Sequence, residues 1–141
     1  MNTLQLEKHF TFKSFQHHQA LEFGMNVLEI IKEEKLKNVR IRVTYNKDIV
    51  FQYLMDDKNG EEWLNRKENT VLKTNHSSYY VFENSKDYQE LENDDKYVIC
   101  GGGFPLIENS EVKGVFCISG LEHDKDHELI IKALRKMREF K

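Results

Sequence analysis

The run Gly101-Gly102-Gly103-Phe104-Pro105 restricts the possible folds of this chain more than any other stretch. Glycine serves where the backbone takes a positive φ or passes very close to another group. Gly101, Gly102, Gly103, Gly114 and Gly120 are five of the chain's seven glycines, and Pro105 is its single proline. Special backbone geometry is therefore concentrated between 101 and 120, and a site is to be sought there first. Successive glycine N–H groups can form a nest for an anion or a carbonyl. The run reads equally well as a tight, bulged connection between strands. It lacks the Gly-Lys-Ser/Thr ending of a Walker loop, and no helix begins there to make a dinucleotide fingerprint.

Hydrophobic periodicity places elements around the run. Residues 10–15 alternate apolar and polar, the period of a half-buried strand or edge segment. Residues 16–36 change to a helical period, with Ala20, Gly24, Val27 and Ile31 in one stripe and Leu21, Met25 and Leu28 beside it. Residues 39–54 read as a β-hairpin turning at Asn46-Lys47-Asp48. A long helix over 61–80 puts Leu64, Val71, Leu72, Asn75 and Tyr79 near one side, and a shorter helix follows at 85–92. Residues 97–100 and 112–119 are predicted strands. A last helix over 125–140 buries Ile130, Ala133, Leu134 and Met137. Helices that separate hairpins predict an α/β chain of the α+β type, with a mostly antiparallel sheet flanked by helices.

The 141 residues are expected to form one domain, 1–141, able to bury a core without disulfides or a structural metal. A net charge of −3 gives no electrostatic footprint for nucleic acid. No window approaches a membrane span of about 20 apolar residues. The polar first ten residues lack the apolar core of a signal peptide, so a cytoplasmic location is expected. The two cysteines, Cys100 and Cys117, are expected to be reduced and to pack as small hydrophobes.

Three constellations can carry chemistry. The glycine run is the first. On a helix over 61–80, Arg66, Thr70, Lys73 and Ser77 share a face, with His76-Ser77-Ser78 near its end, an array suited to a carboxylate or phosphate. The plainer reading is a solvated helix face. The third is His123-Asp124-Lys125-Asp126-His127, whose histidines stand four apart. Acids there cap a helix N-terminus, and a metal site is disfavoured because spacing names no third ligand. His17-His18 is a further candidate ligand pair. No acid near His76-Ser77 in sequence completes a hydrolase triad.

Trp63-Leu64-Asn65-Arg66-Lys67, Asn69, His76-Ser77-Ser78, Gly101-Gly102-Gly103-Phe104-Pro105-Leu106, Gly114, Ser119-Gly120-Leu121 and Asp126-His127 follow one another in a familiar order. In that order and spacing, over roughly residues 10–135, the chain resembles a small branch of the haem-degrading domain group, which includes GlcG, HbpS and the C-terminal domain of PduO. The resemblance implies a three-layer domain, with an antiparallel sheet of about five strands and helices on both faces. It also implies homo-oligomers built from dimers, and it suggests haem or another tetrapyrrole as ligand. The site expected on this basis joins Arg66, His76, Ser77 and Ser78 to Gly101, Gly102, Gly103, Phe104, Pro105, Ser119, Gly120 and His127. The leading function is a small-ligand binding module for a tetrapyrrole or an anionic metabolite. An enzyme acting on a small anion or on haem, and a structural or partner-docking oligomer, are the alternatives.

Overall fold

Two strand pairs with two-residue turns organise the chain in the computed structural model, which describes residues 1–137. Strands β2 (Arg40–Tyr45) and β3 (Asp48–Leu54) form the hairpin that the alternation over 39–54 predicts. Asn46 and Lys47 turn it with φ of 50° and 70°, the left-handed pair that matches strand twist. Strands β4 (Gly103–Glu108) and β5 (Glu111–Ser119) repeat the device at Asn109 and Ser110. A two-residue strand, β1 (Thr11–Phe12), completes a five-stranded sheet in the order β1-β4-β5-β2-β3. Only β1 with β4 is parallel.

Side chains alternate across the sheet, and its two faces differ. On one face Phe104, Leu106, Phe116, Ile118, Ile41 and Val43 meet helices α2 (His17–Glu34) and α6 (His123–Arg135) through Phe23, Val27, Ile30, Ile130 and Leu134. On the other, Val115 and Cys117 meet Leu64 and Val71 of helix α3 (Glu62–Thr74). This second layer is thin, and its buried neighbours are polar: Arg42, Thr44, Lys67, Thr70, Ser77 and Ser78. The fold is thus an α+β sheet with helices on both faces.

Four expectations are corrected. The helix over 61–80 is two helices, α3 and α4 (Ser78–Glu83), because Asn75 closes α3 with φ of 63° and the Ser77 hydroxyl caps α4 by accepting from Tyr80 N. Arg66 and Ser77 therefore do not share a helical face. Residues 97–100 are not a strand, because α3 takes their hydrogen bonds. Arg66 and Thr70 bond Tyr97 O and Val98 O, and Val98 N donates back to Thr70 Oγ1. Leu21, Met25 and Leu72 are exposed, and Phe23 and Ile30 fill the core instead. Residues 10–15 hold the edge strand β1, as the alternation predicts, but it is two residues long and follows an unforeseen helix, α1 (Thr3–His9), started by an Asn2–Gln5 capping box. The 85–92 segment is a 3-10 turn (Ser85–Tyr88) followed by the short helix α5 (Gln89–Glu92). The end of the expected last helix, 138–140, lies outside the described residues. Both cysteines are free thiols.

Candidate functional site

The site is built around a lysine that crosses from α3 to the glycine run. Lys67 is 2% exposed. Its Nζ donates to Ile118 O at 2.9 Å and to Asp126 Oδ2 at 3.0 Å. Asp126 Oδ1 accepts from Leu121 N, which ties the first turn of α6 to the end of β5. Burial pushes the Asp126 carboxyl above the ordinary aspartate range, while the Lys67 ammonium and the Leu121 N–H pull it back. Burying one of these charges without the other is strongly unfavourable.

Lys67 also explains the glycines. Gly102 has φ of +123°, and a Cβ there would stand 2.5 Å from both Ile118 O and Lys67 Nζ. The run passes so close to α3 and β5 that side chains have no room. Two of its N–H groups are used within the chain: Gly101 N donates to His123 Nδ1 and Gly103 N to Ser78 Oγ, both at 2.9 Å. Phe104 and Pro105 continue into β4, where Phe104 is buried in the apolar core.

A cleft of about 340 Å³ opens where β2 begins and β5 ends, between the first turns of α3 and α6. Arg40, Lys58, Trp63, Lys67, Cys100 and His123 line it together with Ser119, Gly120, Leu121 and Asp126. Arg40 donates from Nη1 to Asn59 O and from Nη2 to Ser119 Oγ. Its Nε is buried and has no hydrogen-bond partner among the described residues. Burial raises the Cys100 thiol, so it is a poor nucleophile at neutral pH. Trp63, the chain's single tryptophan, carries the Arg66 guanidinium 4.8 Å from its ring centre.

The other expected site residues hold the frame. Arg66 donates from Nε and Nη2 to Tyr97 O. His76 Nδ1 and Ser77 N both meet the buried Glu7 carboxylate at 2.9 Å, which fastens α1 to the start of α4. His127 is buried and stacks on Tyr79, with Phe104 on a tilted approach. Burial lowers its pKa to about 4, so its ring is neutral, and Nδ1 has no partner among the described residues. The structure thus brings Ser119 and Gly120 into the cleft wall, and Gly101 to His123 beside it. His76 and Ser77 sit instead at the α1 contact. The i,i+4 histidines of α6 do different work, and among the described residues no three His, Cys, Asp or Glu side chains come together as they would to hold a metal. The site expected from sequence left out Arg40, Lys58, Trp63, Lys67 and His123. Trp63 and Lys67 stand in one motif with Arg66, and His123 in the His123–His127 constellation, so signals were available for three of them.

A five-stranded sheet with helices on both faces is a fold shared with several solved structures. Ybr137w superposes with a TM-score of 0.83 at 22% identity, covering 94% of this chain and 83% of that one. HbpS gives 0.74 at 13% identity, covering 89% and 91%. The PduOC:haem complex gives 0.72 at 15%, covering 88% and 95%. In sequence, a UPF0303 protein of Psychromonas ingrahamii is 34% identical over 137 residues, which is 91% of this chain and 86% of that one. A UPF0303 protein of Lactiplantibacillus plantarum is 34% identical over 116 residues, or 76% and 75% of the two chains. The family model described as haem degrading protein HbpS-like matches residues 15–135, and this chain belongs to that family.

Proposed function

We propose that this protein is a one-domain module that binds a small anionic ligand in the cleft between α3 and α6. Arg40 carries the reading, because it lines the cleft and its guanidinium meets a carbonyl and a hydroxyl but no carboxylate among the described residues. A guanidinium whose charge is not balanced by an acid is a good partner for an anionic oxygen. Lys58, Lys67 and His123 line the same cleft. Its one acid, Asp126, is already engaged by Lys67 and Leu121 N. Ser119 and Gly120 belong to the wall, and Gly101, Gly102 and Gly103 support it through His123 and Lys67. Arg66, His76, Ser77, Ser78, Phe104, Pro105 and His127 serve the frame behind it.

The family description and the PduOC complex point to haem. The carboxylates of a tetrapyrrole are anions of the kind this cleft suits. An iron ligand is a different requirement, and neither His123 nor His127 fits it. His123 accepts the Gly101 N–H at Nδ1, which leaves the neutral ring protonated at Nε2 with no lone pair for a metal. His127 is stacked inside the protein.

Trp63 fluorescence provides the test, since it reports from the cleft wall. Pyrophosphate should change it saturably, and Arg40→Gln should weaken binding by at least about tenfold. No response at millimolar pyrophosphate, or one unaltered by Arg40→Gln, would contradict the reading. Haem is titrated in parallel by absorbance. A sharp, saturable shift abolished by His123→Ala would make iron ligation the better account.

Homo-oligomerisation, as the resemblance implies, and a cytoplasmic location complete the proposal. The outer edge of β3 is unpaired among the described strands, has no charge from 49 to 54, and exposes Ile49 and Tyr53. Exposed Leu21 and Met25 lie on α2, which packs against β3. An unguarded edge of this kind calls for a cover. Sedimentation should find an oligomer that Tyr53→Lys dissociates, and a monomer in the native protein would remove this part of the proposal.

A further inference from the structure

The chain's single tryptophan stands 43% exposed in the wall of the cleft. Arg66 holds this ring in place. Its Nε and Nη2 both donate to Tyr97 O, at 3.1 and 3.0 Å, so the guanidinium is fixed. Its carbon lies 4.8 Å from the centre of the Trp63 ring, a cation–π contact that holds the indole in turn. Arg66 is not part of the cleft wall, whereas Trp63 is. A rigid aromatic surface therefore meets the cleft beside Arg40 and Lys58. Little conformational entropy remains to be lost when a flat group settles on it.

Building on the anion-binding reading above, we infer that the ligand is an aromatic anion, with a flat ring against Trp63 and a carboxylate or phosphate at Arg40 and Lys58. The volume agrees. About 340 Å³ is at the small end of ligand pockets, which run roughly 300–1,000 Å³, and suits one ring system with one anionic group. An aromatic carboxylic acid and a nucleoside monophosphate share this chemistry.

Calorimetric titration of the intact protein with paired probes separates the contributions. Phenylacetate is compared with acetate, and AMP with inorganic phosphate and with adenosine. In the native protein at least one aromatic anion should bind about tenfold or more tightly than its ringless counterpart. The pair that shows the gain identifies the source. In Trp63→Leu the gain should shrink to within about twofold while the ringless anion still binds, and Trp63→Phe should restore part of it. Arg40→Gln should weaken both members of the pair. Circular dichroism checks that each variant is folded, which the exposed position of Trp63 favours. Equal affinities within a pair in the native protein, or a gain that survives Trp63→Leu, overturn the inference and leave anion binding standing. Absence of binding by every probe while pyrophosphate still binds overturns this inference alone; absence of binding by pyrophosphate as well overturns the anion reading, and this inference with it.

Discussion

Arg40 and Arg42 leave β2 on the same side of the sheet, two residues apart, and meet opposite surroundings. Arg42 is buried and every guanidinium nitrogen has a partner: Nε donates to Gln52, Nη1 to Asn65 and Glu68, and Nη2 to Glu61. Two carboxylates balance its charge, and it fastens β2 to β3 and α3. Arg40 has one carbonyl, one hydroxyl, no carboxylate, and a buried Nε without a partner among the described residues. Residue type and strand position are shared. The supply of acceptors differs, and that separates a cation committed to the frame from the one proposed to meet a ligand. Lys67 stands between the two cases, since it lines the cleft yet is held by Ile118 O and Asp126.

The comparison can be broken at four points. The largest effect is expected for Lys67→Met, which leaves the Asp126 carboxylate buried without its cation. Urea denaturation should show a loss of about 3–5 kcal/mol. Adding Asp126→Asn should recover part of it, and a loss under 1 kcal/mol on the order of surface substitutions would remove Lys67 from the frame.

The second effect is in pH. His127 has the other unpartnered buried nitrogen, but its walls are apolar and no anion-binding cleft adjoins it in the described structure. Its pKa falls from 6.5 to about 4 on folding because of burial. The folded state therefore binds fewer protons than the unfolded chain between those values. This residue costs nothing above pH 6.5, and stability falls as pH drops from 6.5 toward 4, by about 3 kcal/mol in all. His127→Phe keeps a ring beside Tyr79 and should flatten that part of the stability profile. An unchanged profile would show that His127 is not held neutral.

Third, Arg42→Met should cost about 2 kcal/mol, because its charged partners Glu61 and Glu68 retain access to water. Fourth, Arg40→Gln should change stability by less than about 1 kcal/mol. Equal costs for the two substitutions would erase the distinction between the arginines.

The apolar face of the sheet was legible in the sequence, and the polar face was not. The 39–54 alternation and the Ile130, Ala133, Leu134, Met137 pattern needed only local periodicity. Arg40 and Arg42 occupy the positions that alternation assigns to water, and their burial depends on α3 covering that side. Lys67 finds its acceptors 51 and 59 residues along the chain, a distance no spacing rule reaches. Residues 97–100 have strand composition, yet Arg66 and Thr70 supply the partners a neighbouring strand would have given. The break in the 61–80 helix rests on one left-handed residue, Asn75, and asparagine tolerates that conformation without announcing it. The glycine run was recognised as special for a sound reason, close approach of the backbone. What approaches it is Lys67, and two of its N–H groups go to His123 and Ser78.

The most direct measurement is calorimetric titration of pyrophosphate into the native protein, Arg40→Gln and Arg42→Met, each checked to be folded. The account predicts saturable binding to the native protein, affinity kept within about threefold in Arg42→Met, and at least about tenfold weaker binding in Arg40→Gln. Equal weakening in both variants, or binding indifferent to Arg40, would contradict it.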